Sequence, residues 1–222
     1  MKRQRWGLWA GMSDLARPLG LGVLALLAAC ALPDVRPTPE PAIDPVASAW
    51  DARVATLTSR ANFGLRGRIA IQRGSEGAQA QLSWTQAAET WDLRLVAPLG
   101  QGTVRLEGAP GEVVLSTPDG AHYRAKDVDA LMKTHLQWSL PVAGARYWIL
   151  GVPVPGHPVG QLSLDAEGRL RDLAQDGWRI SVLEYQNGPA EPGGLVLPRR
   201  LFLLGKDVQL RIVITAWTAS PH

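Results

Sequence analysis

One thiol, Cys30, stands in 222 residues, at the end of the apolar run Leu24-Ala25-Leu26-Leu27-Ala28-Ala29-Cys30. A thiol can attack an electrophile, ligate a metal or accept a lipid, and a lone one cannot form a disulfide within its chain. The other groups that could do chemistry are scattered. His122, His135, His157 and His222 lack metal-ligand spacing. Glu112 and Asp119 could face each other as acid and base, but nothing singles them out. There is no Gly-x-x-x-x-Gly-Lys-Ser/Thr, no Gly-x-Gly-x-x-Gly after a strand, no His-Glu-x-x-His and no Gly-x-Ser-x-Gly. These residues predict a protein that is not an enzyme and needs no cofactor and no metal.

The surroundings of Cys30 choose among its chemistries. Lys2, Arg3 and Arg5 open the chain, Arg17 follows, and Leu19 to Ala29 is uncharged. A membrane-spanning helix needs about 20 apolar residues. The shorter run suits the apolar core of a secretory signal. Leu27-Ala28-Ala29-Cys30 resembles the bacterial lipobox. That resemblance implies a signal peptide over 1–29 and a lipidated Cys30 at the start of the mature chain. Ala31 stands where enteric lipoproteins kept at the inner membrane usually carry Asp, so it resembles an outer-membrane address. The first 29 residues hold four of the 23 Lys and Arg and one of the 20 Asp and Glu, which leaves 19 of each. A neutral mature chain gives no support for a nucleic-acid partner, which would need clustered cations.

The elements follow from composition and period. Residues 30–44 carry Pro33, Pro37, Pro39 and Pro41 and read as the lipidated cysteine and a proline-rich tether. Residues 45–222 read as a single domain. Asp44 can cap a helix over 45–60, Pro45 fits its first turn, and Val46, Trp50, Val54 and Leu57 make one stripe. From Phe63 the period becomes two, with Phe63, Leu65, Gly67, Ile69 and Ile71 on one face. Eleven strands are predicted, over 63–72, 79–86, 90–97, 102–108, 112–117, 121–125, 160–165, 169–175, 177–185, 198–204 and 207–217. Short helices over 127–136 and 143–150 interrupt them. Trp217 has the opposite parity to Val208, Leu210, Ile212 and Ile214, so either a bulge intervenes or it points outward. The predicted fold is mainly β with a few helices: a curved antiparallel sheet forming an incomplete β-barrel, with helices on its concave side. Seven of the nine Trp lie beyond residue 29, and they suit either a packed core or a lipid-lined cavity.

Several stretches come in a family's order: Trp50, Gly67-Arg68-Ile69-Ala70, Leu82-Ser83-Trp84-Thr85-Gln86, Leu93 to Gly100, Leu140-Pro141, Trp148-Ile149-Leu150-Gly151-Val152-Pro153, Gly177-Trp178 and Trp217. Together with the lipobox they resemble the LolB family, outer-membrane receptors of the bacterial lipoprotein-sorting pathway. The proline-rich tether and the Gly/Pro-rich 186–197 loop depart from it. The resemblance implies a monomer, lipid-anchored at the outer membrane and facing the periplasm. It would take acylated lipoprotein cargo from the carrier LolA into an apolar cavity and insert it among outer-membrane lipids. Inward parity is ambiguous, because both faces of a small barrel can be apolar in places; Trp84, Leu93, Leu95, Leu106, Met132, Trp148 and Ile212 are offered as plausible cavity lining. Pro98-Leu99-Gly100 lies in a turn that should be solvated, and the family's matching loop carries a protruding leucine that contacts the membrane. Two other readings compete. One is a structural lipoprotein that scaffolds an envelope assembly, and the other is a surface-tethered hydrolase.

Overall fold

The computed structural model describes residues 44–60, 62–136, 141–189 and 194–218. Cys30, the expected signal and most of the expected tether therefore lie outside the described residues. Eleven strands form one antiparallel sheet in the order β6-β5-β4-β3-β2-β1-β11-β10-β9-β8-β7. The first meander is β1 (Asn62–Arg73), β2 (Glu76–Ala87), β3 (Thr90–Val96), β4 (Thr103–Ala109), β5 (Glu112–Ser116) and β6 (His122–Ala125). The second is β7 (Val159–Leu164), β8 (Leu170–Gln175), β9 (Trp178–Asn187), β10 (Val196–Leu204) and β11 (Gln209–Thr218). Short turns force antiparallel neighbours within each meander. Asp176 and Gly177, both at positive φ, make the two-residue turn between β8 and β9. The first and last strands pair and join the halves, while β6 and β7 are the open edges.

The chain between those edges holds α2 (Val128–Leu136) and α3 (Val142–Trp148). Pro141, Val142, Ala145 and Ile149 meet inward side chains of β1, β2, β3, β10 and β11 around one small cavity. Five adjacent strands are roughly 19 Å across, against about 10–12 Å for a helix with its side chains. One short helix reaches all five because the sheet wraps around it. Helix α2 packs on β5 and β6 instead.

A bulge resolves the parity of Trp217. Arg66 faces Ala216, but Gly67 faces Ile214, so Thr215 is the extra residue. The extra residue turns Trp217 inward, where it is buried, and its indole N–H donates to Pro198 O at 3.0 Å. Phe63 then stands between Trp217, at 6.0 Å, and Trp84, at 5.9 Å. The bulge also explains Gly67. A β-carbon there would lie 2.2 Å from Val213 O and 3.0 Å from Ile214 Cα. Gly67→Val is expected to lower stability by about 3 kcal/mol, within the upper range for overpacking, read as a fall in the urea midpoint.

Helix α1 (Pro45–Thr58) starts as predicted and ends two residues early. Asp44 Oδ1 accepts from the backbone N–H of Val46 at 2.9 Å, and Trp50 and Leu57 are buried. Arg53 fixes the helix to the sheet by donating to Val196 O at 2.8 Å. Tyr185 lies between Arg53 and Arg169, whose guanidinium carbons are 5.4 and 4.7 Å from its ring centre. Its hydroxyl donates to Leu170 O at 2.6 Å. Burial pushes the Tyr185 phenol up and the Arg53 guanidinium down from their ordinary values.

Candidate functional site

Beneath α3 lies a slot of about 30 Å³ whose walls are entirely apolar side chains. Of the residues offered from the sequence, Trp84, Leu93, Leu95 and Ile212 are among its walls, with Ile69, Leu82, Leu203 and Leu210 of the same sheet face. The slot is about the size of one water molecule, and its apolar walls give a water no partner. The inner face is therefore closed over its own side chains in this state.

Three of the proposed lining residues do not reach the slot. Leu106 and Met132 are fully buried in the main core. Leu106 lies on β4, facing Leu93 and Leu115 in the ladder, and Met132 lies on α2, which covers the β5–β6 side. Trp148 is also absent from the slot, because it lines a wider cleft beside it.

That cleft has a volume of about 720 Å³. Trp84, Trp91, Val113, Val128, Val142, Trp148 and Trp178 line it, with Lys126, Asp127, Arg146 and Asp176. Trp84 belongs to both cavities. Two buried polar atoms of cleft residues have no partner, Trp84 Nε1 and Gln86 Oε1. A buried polar group left unpaired costs about 1–3 kcal/mol, so the fold carries two such costs here. The Gln86 amide cannot turn over to remove its share. Its Nε2 donates to Ala88 O at 2.8 Å and Thr90 O at 3.2 Å, which fixes Oε1 as the free acceptor.

Gln175 is a polar residue that sequence reasoning missed. Its Oε1 accepts from Trp148 Nε1 at 2.9 Å and from Val154 N–H at 2.8 Å. Its Nε2 donates to Val154 O at 3.1 Å and His157 O at 3.3 Å. The end of α3 and the segment after it are thereby tied to β8. The one sequence signal was a glutamine at an inward position of a strand.

The Pro98–Gly100 turn joins β3 to β4. Ala97 N–H donates to Gly102 O at 3.0 Å and closes the loop below it. Leu99 is 97% exposed, well above the next most exposed large apolar residue described, Leu183 at 64%. Its φ of 56° and ψ of 28° are left-handed. For a side chain with a β-carbon this costs about 1–2 kcal/mol. Residues 95–104 carry no charged side chain.

The acid–base candidates are apart. Glu112 opens β5 and pairs with Arg124 at 2.8 Å, whereas Asp119 sits in the turn beyond the other end of β5 and accepts from Thr117. His122 contacts Ser116, His135 stacks on Tyr123, and His157 pairs with Asp176 at 2.9 Å. His222 lies outside the described residues. No helix among the described residues is long and apolar enough to cross a membrane.

The sequence matches the outer membrane lipoprotein LolB family over residues 61–217. It is 40% identical over 194 residues to the outer-membrane lipoprotein LolB of Nitrosococcus oceani, covering 87% of this chain and 92% of that one. To LolB of Pseudomonas putida it is 36% identical over 195 residues, covering 88% and 92%. A crystal structure of a LolA superfamily protein from Nitrosomonas europaea aligns with a TM-score of 0.50 and 9% identity, over 81% of this chain and 95% of that one. That likeness is one of fold. An open antiparallel sheet closed over an apolar inner face, and a family match across most of it, agree: this chain belongs to the LolB family of outer-membrane lipoproteins, which are receptors of lipoprotein trafficking and not enzymes.

Proposed function

We propose that this protein accepts acylated lipoproteins from the periplasmic carrier LolA into the space beneath α3 and releases them into the outer membrane. One observation carries the reading: in a LolB-family chain, an all-apolar slot runs between α3 and five strands of the sheet. An acyl chain of roughly 15 methylenes left in water costs about 12 kcal/mol. Such cargo passes between apolar shelters and then into a bilayer, a downhill relay that needs no nucleotide. At about 30 Å³ the slot must open to admit a chain. Gln175 holds the Trp148 end of α3, so the helix lifts at its Pro141 end.

Residues 1–29 act as the signal, and Cys30 carries the lipid that anchors the 45–222 domain through the proline-rich tether. The domain then works as a monomer on the periplasmic side of the outer membrane. The uncharged Leu99 loop meets the bilayer at release.

The test is displacement of an environment-sensitive fluorophore from the purified domain by an acylated peptide, followed by transfer from cargo-loaded LolA. Acylated peptide should displace the probe, and the unacylated peptide should not. Ala145→Phe, which fills the slot, is expected to weaken acyl binding about 10-fold or more while the fold survives. Equal displacement by both peptides, or none by either, would leave the envelope-scaffold reading in its place.

A further inference from the structure

We infer that Trp84 Nε1 and Gln86 Oε1 form a recognition point for the linkages between the acyl chains and the cargo's N-terminal cysteine, resting on the function proposed above. Both residues are more than nine-tenths buried, at 3% and 0% exposure, both line the wide cleft, and each keeps one polar atom without a partner. They sit two residues apart on β2, so their side chains leave the same face about 7 Å apart along the strand. Trp84 also lines the apolar slot. A tail lying in the slot would therefore bring its carbonyl end to the junction where the cleft begins.

The chemistry of the two atoms is complementary to such an end. The indole N–H is donor-only and fits an ester or amide carbonyl. Gln86 Oε1 can only accept, and both Nε2 hydrogens are already used on Ala88 and Thr90, so the side chain offers a ligand no donor. It fits the N–H of an N-acylated cysteine. A cysteine with a free α-amine would bring three ammonium donors to this single acceptor, and the carboxylates of the cleft, Glu89, Asp127 and Asp176, all lie off β2, whereas one amide N–H is satisfied by Gln86 Oε1 alone. The pair selects cargo whose terminal amine is acylated over cargo whose amine is free, and acyl esters over plain alkyl chains.

The experiment uses the purified protein loaded with the fluorescent probe and three competitors. These are a peptide headed by S-diacylglyceryl cysteine with an N-acetyl group, which adds the amide without a third long chain, the same peptide with a free amine, and a dialkyl ether analogue without carbonyls. The native protein should prefer the N-acylated peptide over the free amine by about 10-fold, the effect of one buried hydrogen bond. Gln86→Met should lower that ratio several-fold, leaving only the part that comes from bringing a charge under cover. Trp84→Phe, which keeps a ring and removes the N–H, should lower the ester-to-ether affinity ratio about 10-fold. Ratios measured within one variant cancel any general loss of folded protein. If both ratios stay at their native values in both variants, or the native protein shows no preference, the recognition point is overturned while the binding function stands. If no acylated competitor displaces the probe, the functional reading fails and this inference with it.

Discussion

Leu99→Glu is expected to leave loading from LolA intact and to cut delivery into liposomes about 100-fold. An exposed leucine moved into hydrocarbon gains about 1.5–3 kcal/mol, and 2.8 kcal/mol is two factors of ten. A glutamate makes no such gain and resists leaving water. The loop suits a bilayer contact for a second reason: no charge in residues 95–104 has to be stripped of water with it. The backbone sharpens the test. Leu99 is left-handed, and nothing in the fold covers its side chain. Leu99→Gly removes the β-carbon clash and should raise stability by up to about 1 kcal/mol, yet delivery should fall. A more stable but less active variant separates a functional leucine from a structural one. Native delivery rates from both variants would remove the loop from the mechanism.

Gln175→Met should lower unfolding stability by about 4 kcal/mol at nearly constant side-chain volume. Methionine cannot accept well from the Trp148 indole or the Val154 amide, nor donate to the Val154 and His157 carbonyls. Each buried group left without a partner costs about 1–3 kcal/mol. Domains of this kind have about 5–15 kcal/mol in total, so the urea midpoint should move far. The expected trace also shows altered Trp148 fluorescence, because the indole loses its partner 2.9 Å away. A second consequence follows if α3 is the lid. With its Trp148 end released, probe uptake should quicken even as stability falls. A loss below about 1 kcal/mol would mean that solvent replaces the glutamine, and that the 149–157 segment is not locked through it.

Period and punctuation are local properties, and they were legible. Alternation of two with short Gly/Asp turns marks a strand wherever one face is dry, and all eleven strands could be placed that way. The misplaced ends have separate causes. Strand β2 begins at Glu76 rather than 79, because the tip of the β1–β2 hairpin is wet on both faces and leaves no alternation to read. Strand β10 begins at Val196, before Pro198, because the proline lies beside a register shift where no ladder donor is needed. Likewise the extra residue at Thr215 sends Trp217 inward, an outcome that parity left open.

The sequence by itself determined the sheet, its helical interruption and the uncharged Pro98-Leu99-Gly100 turn, and it carries the lipobox-like Leu27-Ala28-Ala29-Cys30. Parity tells which face a side chain takes, but not where along that face a helix will settle. For that reason Leu106, on the inner face of β4, is packed away from the slot, while Ile69 and Leu203 line it. Hydrogen-bond partners are equally hidden, since Gln175 finds Trp148 across 27 residues and Gln86 keeps an acceptor free. Only the tertiary structure decided these points, because cavities and buried polar contacts arise where segments distant in sequence meet, and no local pattern encodes that meeting.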